Sequence, residues 1–306
     1  MLKPLRFTLW TIPFLIFFSI IPFTPLKVYM HFMYLIAMWI ALCEGLNIMV
    51  GFTGYMSLGQ VAFYGLGVFI TSILISFYNL NPYLAMVAAV LLTTLFSGAL
   101  GWLTLRLRGP YFALTTLALS VALQIIFQYL FPFGITLPPG LYEPLVCHYG
   151  IMVIAFVSIL LAYAVKNSKI GIAASAIKED EDAAETLGVN VAKYKVIVFM
   201  ISATLTAMVG GLDVYRTTYT IAIAAFYQPK NVSMIAMTMF GGAGTIIGPI
   251  VGAVILYTIE HIIWANFPLI HLTIYGLIII AVVLILPEGI IGLLRKKLPS
   301  LSKFIV

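Results

Sequence analysis

Apolar runs of about twenty residues alternate with short polar breaks along this chain, a repeat set by the thickness of a bilayer rather than by a helix facing a soluble core. Runs without sustained charge span 7–23, 28–50, 56–78, 83–105, 111–132 and 145–165, and three more lie at 196–213, 245–264 and 270–287. The stretch from Thr218 to Phe240 is broken by Gln228, Pro229 and Lys230. It reads either as a crossing or as a short external helix followed by a re-entrant piece, since non-helical backbone at membrane depth survives only inside protein or beside water. The pattern predicts an all-α polytopic bundle of about eight to ten transmembrane helices, one transmembrane domain over residues 1–306, with one long polar interruption at 166–195.

Composition narrows the class. Hydrophobic residues make up 63% of the 306 and charged residues 8%, against roughly 25% charged in a soluble domain. The crossings leave no stretch long enough for a soluble catalytic domain, and no G-x-x-x-x-G-K-[ST] phosphate loop occurs. Any ATP chemistry is therefore expected on a partner, with no cofactor on this chain. The net charge of +6 does not point to nucleic acid, because the basic residues cluster at the ends of apolar runs. Lys3 and Arg6, then Arg106 and Arg108, then Lys166 to Lys195, then Arg295, Lys296, Lys297 and Lys303 fall on one side if the helices alternate. The positive-inside rule makes that side, and both termini, cytoplasmic. Asn79 to Pro82 and Pro132 to Gly150 fall on the other, and Lys27 and Arg216 are exceptions. Lys3 and Arg6 precede an apolar run with no small-residue cleavage site, which reads as an uncleaved first helix. Cys43, in an apolar run, and Cys147, in an expected external loop, suggest neither a disulfide framework nor a metal site.

Three patterns carry candidate chemistry. Ala176 to Gly188 reads as one short amphipathic helix in the polar loop, with Ala176 and Ala183, and Ile177 and Ala184, seven apart, Leu187 four after Ala183, and Gly188 placed to end it. Such a helix is either a knob for a groove on a cytosolic partner or an exposed connector. Gly51, Gly54, Gly59, Gly65 and Gly67 crowd a short stretch that also holds Asn47, Ser57 and Gln60. That combination fits a discontinuous helix lining a pathway, or tight helix packing with the polar groups satisfied between helices. Gly244, Gly248 and Gly252, four apart, look like a helix packing seam. Glu44 is a carboxylate inside an apolar run, costly unless functional or paired. It either faces the pathway, pairs with a neighbouring subunit, or snorkels to water. Glu260, His261 and Asp213 read as interfacial, Asp213 paired with Arg216. Gly51-x-x-Gly54 and Gly241-x-x-Gly244 hint at an internal duplication.

Several of these segments also resemble a known family. Asp182-Ala183-Ala184-x-x-x-Gly188 resembles the E-A-A-x-x-x-G cytoplasmic loop of binding-protein-dependent ABC importer permeases, with Asp for the usual Glu. The I-x-L-P continuation of some importer classes is replaced by Val198-Phe199-Met200, which argues against the maltose-type subgroup. Leu46-Asn47, with Gly51, Gly54, Ser57-Leu58-Gly59, Phe63, Gly65 and Gly67, is similar to the L-N-x-x-x-G-x-x-G-x-x-S-L-G-x-x-x-F-x-G-x-G signature of branched-chain amino-acid permeases. Arg106-Leu107-Arg108-Gly109-Pro110-Tyr111-Phe112-Ala113 resembles the corresponding LivM-like segment, and Gly241-Gly242-x-Gly244-Thr245-x-x-Gly248-Pro249 and Leu286-Pro287-Glu288-Gly289 follow in order. These matches run from about residue 46 to 292.

The resemblance implies an inner-membrane permease of a branched-chain amino-acid ABC importer. It implies two cytosolic ABC ATPase subunits, a second related permease subunit and an extracytoplasmic solute-binding protein as partners, with membrane lipids around the bundle. It places ATPase coupling at Asp182, Ala183, Ala184, Glu185, Leu187 and Gly188. The pathway candidates are Glu44, Asn47, Gly51, Gly54, Ser57, Gly59 and Gln60. Two other classes are weighed against it. A secondary transporter or channel predicts facing ion-coupling carboxylates, of which Glu44 is the one plausible member. An intramembrane enzyme needs a nucleophile or metal constellation, and H-E-x-x-H and G-x-S-G are missing.

Overall fold

The computed structural model describes residues 29–141, 143–217, 219–267, 269–285 and 289–297. The expected first crossing at 7–23, the charges of Lys3, Arg6, Lys27 and Lys303, both termini and Leu286-Pro287-Glu288 lie outside those residues, as do the side chains of Arg295, Lys296 and Lys297.

The chain is a helical bundle, as the apolar runs predict. Among the described residues, six helices are long and apolar enough to cross a membrane: α1 (Met30–Thr53), α3 (Pro82–Thr104), α4 (Pro110–Leu130), α5 (Pro144–Lys166), α8 (Val191–Asp213, continued by a 3-10 turn at Val214–Arg216) and α11 (Ile247–Asn266). Shorter helices are α2 (Gln60–Ser76), α6 (Lys169–Glu179), α7 (Glu181–Thr186), α9 (Ala222–Ala225), α10 (Gln228–Gly241), α12 (His271–Ile285) and α13 (Gly289–Lys297). The region from 218 to 240 is not a single crossing. Its described part is β2 (Tyr219–Thr220), paired antiparallel with β1 (Ile135–Thr136), then α9, then α10. At 14 residues, α10 is about 21 Å long, too short for a full hydrocarbon core.

Local chemistry sets the helix starts. Pro82, Pro110 and Pro144 occupy the first helical positions of α3, α4 and α5, where a missing N–H costs nothing. The Asn81 side chain accepts from the Tyr83 amide, and Ser168 caps α6 through the Ile170 and Gly171 amides. Cys147, expected in an external loop, is instead buried in the first turn of α5.

α1 is the axis of the bundle, buried along almost its whole length and packed by α5, α6, α8, α10 and α11. α3 turns a stripe of small residues inward, Ala85, Ala89, Thr93, Ser97 and Gly101 at every fourth position. Leu84, Leu91, Leu95 and Trp102 face outward. In a soluble protein that face would be a liability; against lipid tails it is the ordinary exterior.

The ends of the bundle are distinguishable by their contacts. Arg108, the 166–195 loop, the end of α1 and the α10–α11 turn meet at one end. β1, β2 and the end of α2 meet at the other, where Ser76 donates to the Thr136 carbonyl at 3.0 Å.

The seam expected from Gly244, Gly248 and Gly252 holds for two of the three. A Cβ on Gly252 would lie 1.9 Å from the Met237 carbonyl oxygen, and one on Gly248 2.4 Å from that of Gly242, so both let α11 close on α10. Gly244 is not on the helix at all: it sits in the turn between them with φ +85. Gly252→Val should force α10 and α11 apart and destabilise the protein by about 1–3 kcal/mol, the usual cost of overpacking. Gly276→Ala, with nothing within 4 Å of the new methyl, should leave the detergent melting temperature unchanged or slightly raised; the paired melting curves check both.

Candidate functional site

α1 ends at Gly54, whose φ of +75 reverses the chain while its N–H closes on the Val50 carbonyl. Residues 54–59 then run without helix until α2 starts at Gln60. Gln60 Nε2 reaches Ser202 Oγ at 2.7 Å and Thr206 Oγ1 at 2.8 Å, residues that lie about 17–22 Å along α8 from its start. The break therefore climbs from one end of the bundle to its middle. Backbone groups at that depth need partners, and neighbouring helices supply them. The Leu58 amide donates to Thr116 Oγ1 at 3.1 Å, and the Leu58 carbonyl accepts from Asn231 Nδ2. Gly59 is required here because a Cβ would lie 2.1 Å from the Thr116 carbonyl oxygen.

α10 also starts near mid-depth. Its Gln228 accepts from Ser120, halfway along α4, and the preceding Phe226 fills the space that Gly65 leaves, 2.3 Å from where a Cβ would be. Gly67 closes against the Ala207 carbonyl oxygen of α8, 2.4 Å from its missing Cβ. Two short helices thus begin side by side inside the bundle, the discontinuous arrangement expected for the first of them alone.

The glycine clusters whose similarity hinted at duplication touch each other. A Cβ on Gly51 would lie 2.5 Å from the Gly244 nitrogen. Asn47 clamps the turn, donating to the Thr245 carbonyl and accepting the Gly244 amide, both at 2.8 Å. Lys178 Nζ donates to the Gly51 carbonyl at 2.9 Å and Lys166 Nζ to the Gly244 carbonyl at 3.1 Å. Lys178 thereby supplies a positive charge to the carbonyl end of α1, where the helix dipole favours it. Sequence reasoning missed both lysines as caps, because Lys178 lies 127 residues from Gly51 and Lys166 78 residues from Gly244, and no local pattern marks either.

Glu44 is fully buried, which rules out snorkelling to water. One carboxylate oxygen accepts from Asn47 Nδ2 at 3.5 Å, and the other has no hydrogen-bond partner among the described residues.

The docking segment differs from expectation. Ala176 to Gly188 is not one helix: Asp180, with φ −159 and ψ 116, ends α6 and caps α7 by accepting the Ala183 amide at 2.9 Å. Aspartate prefers that capping role to a helix interior, so the seven-residue spacing of Ala176 and Ala183 does not define one face. Gly188 does turn the chain after α7, with φ +85. Ala184 is buried, while Asp182, Ala183, Glu185 and Gly188 are exposed and Leu187 is 83% exposed.

α7 is tied to the break. Glu181 accepts from Tyr55, the second residue of the break, and from Lys195 Nζ at 2.8 Å, which also donates to Tyr55 Oη at 2.9 Å. Arg108 pairs with Asp182 at 2.9 Å. Burial raises the Glu181 pKa, but the hydrogen bonds from Lys195 and Tyr55 and the charges of Lys195 and Arg108 outweigh it and hold the carboxyl below its ordinary value.

Asp213 is also corrected. It is buried rather than interfacial, paired with Arg216 at 2.8 Å as expected and accepting from Tyr34 at 3.0 Å and Tyr64 at 2.6 Å. Lys230 Nζ lies 3.6 Å from the Tyr64 ring centroid.

Residues 28–286 match the family described as the permease component of branched-chain amino acid transport systems. Among curated relatives, the high-affinity branched-chain amino acid transport system permease protein LivM of Salmonella typhimurium is 25% identical over 85% of this chain and 69% of its own. LivM of Escherichia coli is 23% identical over the same shares. No solved structure matches the chain.

Glu181→Ala should cost about 3 kcal/mol, the low end for breaking a buried pair, because Lys195 is 2% exposed yet keeps Tyr55. Since the folded Glu181 pKa is lowered, its contribution is present above about pH 4.3 and lost as pH falls through the lowered value. Melting curves of wild type and Glu181→Ala should therefore differ at pH 7 and converge in acid.

Proposed function

The chain belongs to the family of branched-chain amino acid transport permease components, and on that premise we propose that it is the membrane-spanning subunit of an ATP-driven importer of branched-chain or related small amino acids. The multi-pass bundle and the transport family are the fixed points. The observation that carries the importer reading is the tether from α7 to the α1–α2 break through Glu181, Tyr55 and Lys195. A segment outside the helical core is bonded to a segment whose backbone is opened at membrane depth, so displacing the first strains the second.

In this reading the end carrying the 166–195 loop is cytoplasmic, in keeping with its lysines, and the membrane is the inner membrane. Two cytosolic ATPase subunits drive the permease pair, and one of them docks on α7, with exposed Leu187 as the apolar knob and Asp182 and Glu185 as its rim. ATP is bound and hydrolysed on those partners, not on this chain. Closure of the ATPase pair moves α7, and the tether passes that motion to residues 54–59, which opens the pathway toward the solute-binding protein. Glu44, Asn47, Ser57 and Gln60 line or brace that pathway. A second related permease subunit covers part of the apolar outer face.

The test uses Leu187→Glu, because Ala184 is buried in this chain and its replacement would mix folding with docking. Leu187→Glu should leave the bundle's melting temperature unchanged, reduce co-purification of the ATPase subunits and lower ATP-dependent leucine uptake at least tenfold. Wild-type protein that recovers no ATPase, or takes up leucine equally without ATP, would overturn the reading.

A further inference from the structure

The start of α2 is an uncapped helix end inside the bundle. No side chain caps it, and the Ala62 amide turns back to the Gly59 carbonyl at 2.9 Å. The Gln60 and Val61 amides find no acceptor among the described residues, an unusual state for a buried helix terminus. Three side chains at the same break are also unsatisfied among the described residues: Ser57 Oγ, Gln60 Oε1 and Asn231 Oδ1. Ser57 and Gln60 are fully buried and Asn231 is 2% exposed.

The orientation of both amides is fixed by their neighbours. Ser202 spends its proton on the Gly45 carbonyl and Thr206 on the Ser202 carbonyl, so only the Nε2 side of Gln60 can face those two hydroxyls. Oε1 is left over. The Leu58 carbonyl needs a donor, so Asn231 turns Nδ2 to it. Asn231 Oδ1 is left over too, held beside the residue that precedes the Gly59 cap. Buried polar groups without partners are rare enough to ask for an occupant.

The leftover set is uncharged and two-sided. Free backbone N–H groups and the positive end of a 17-residue helix suit a carboxylate, two amide oxygens suit an ammonium, and the Ser57 hydroxyl serves either. Resting on the importer reading, we propose that the start of α2 is a binding subsite for the backbone of an amino acid in transit. The α-carboxylate takes the Gln60 and Val61 amides, and the α-ammonium takes Gln60 Oε1 and Asn231 Oδ1. A neutral, dipolar set matches a zwitterion better than a net ion, and it engages the part common to all amino acids, leaving side-chain selection elsewhere.

Ser57 gives a clean test because its hydroxyl makes no bond among the described residues. In proteoliposomes holding the complete importer, Ser57→Ala should keep the wild-type melting temperature yet lower ATP-dependent uptake of radiolabelled L-leucine about threefold or more. Asn231→Leu should lower it tenfold or more with ATPase subunits still bound; if that variant does not accumulate, Ser57→Ala decides. Wild-type uptake with Ser57→Ala also at the wild-type rate would mean that water alone satisfies these groups, and would sink the subsite while leaving the importer standing. A wild-type assembly with no ATP-dependent leucine uptake would sink both.

Discussion

Everything distinctive in this bundle follows from one constraint: a backbone that leaves the helix inside a membrane must find partners for its amides and carbonyls within the protein. Residues 54–59 leave the helix, and the surrounding side chains are arranged to meet that demand. Thr116 and Asn231 hold Leu58 from two different helices, and Lys178 holds the carbonyl of Gly51 at the end of α1. Asn47 and Lys166 do the same for the α10–α11 turn. The result ties α4 and α10 to the break and α6 to the end of the axis helix α1, through bonds that a continuous helix would not have required.

The same solution explains why so many glycines are needed and why they are not equivalent. Gly54 supplies a left-handed turn, whereas Gly59 and Gly51 supply room for another backbone to approach. The last turns of α1 and the α10–α11 turn are locked face to face through Asn47 and Gly51, so motion in one must disturb the other. Glu181 and Lys195 extend that lock to α7, outside the helical core. Lys195 is a lysine with almost no exposed surface, and it is tolerable there because a carboxylate, a phenol and an aromatic face surround it. Mechanical continuity from α7 to mid-membrane is thereby built from few residues.

Length and apolarity alone determined the class, the bundle and most helix positions, because a 30 Å hydrocarbon layer imposes its own period on any sequence that crosses it. Glycine density with Asn47, Ser57 and Gln60 marked the region that holds the break, without deciding between a discontinuous helix and tight packing. Helix punctuation was legible at Pro82, Pro110 and Pro144. The tertiary structure alone decided what those signals were for. Asp180 split the helix expected over Ala176 to Gly188 because its side chain found the Ala183 amide, a choice that periodicity cannot distinguish from continuation. Asp213 looked interfacial by position but is buried, because Arg216, Tyr34 and Tyr64 converge on it from three elements. Asn231, Lys178 and Lys195 carried no local pattern at all. Their partners lie more than a hundred residues away for Asn231 and Lys178, and fourteen residues away across a helix boundary for Lys195 and Glu181, and hydrogen-bond partnership at such distances is a property of the packed bundle rather than of the chain.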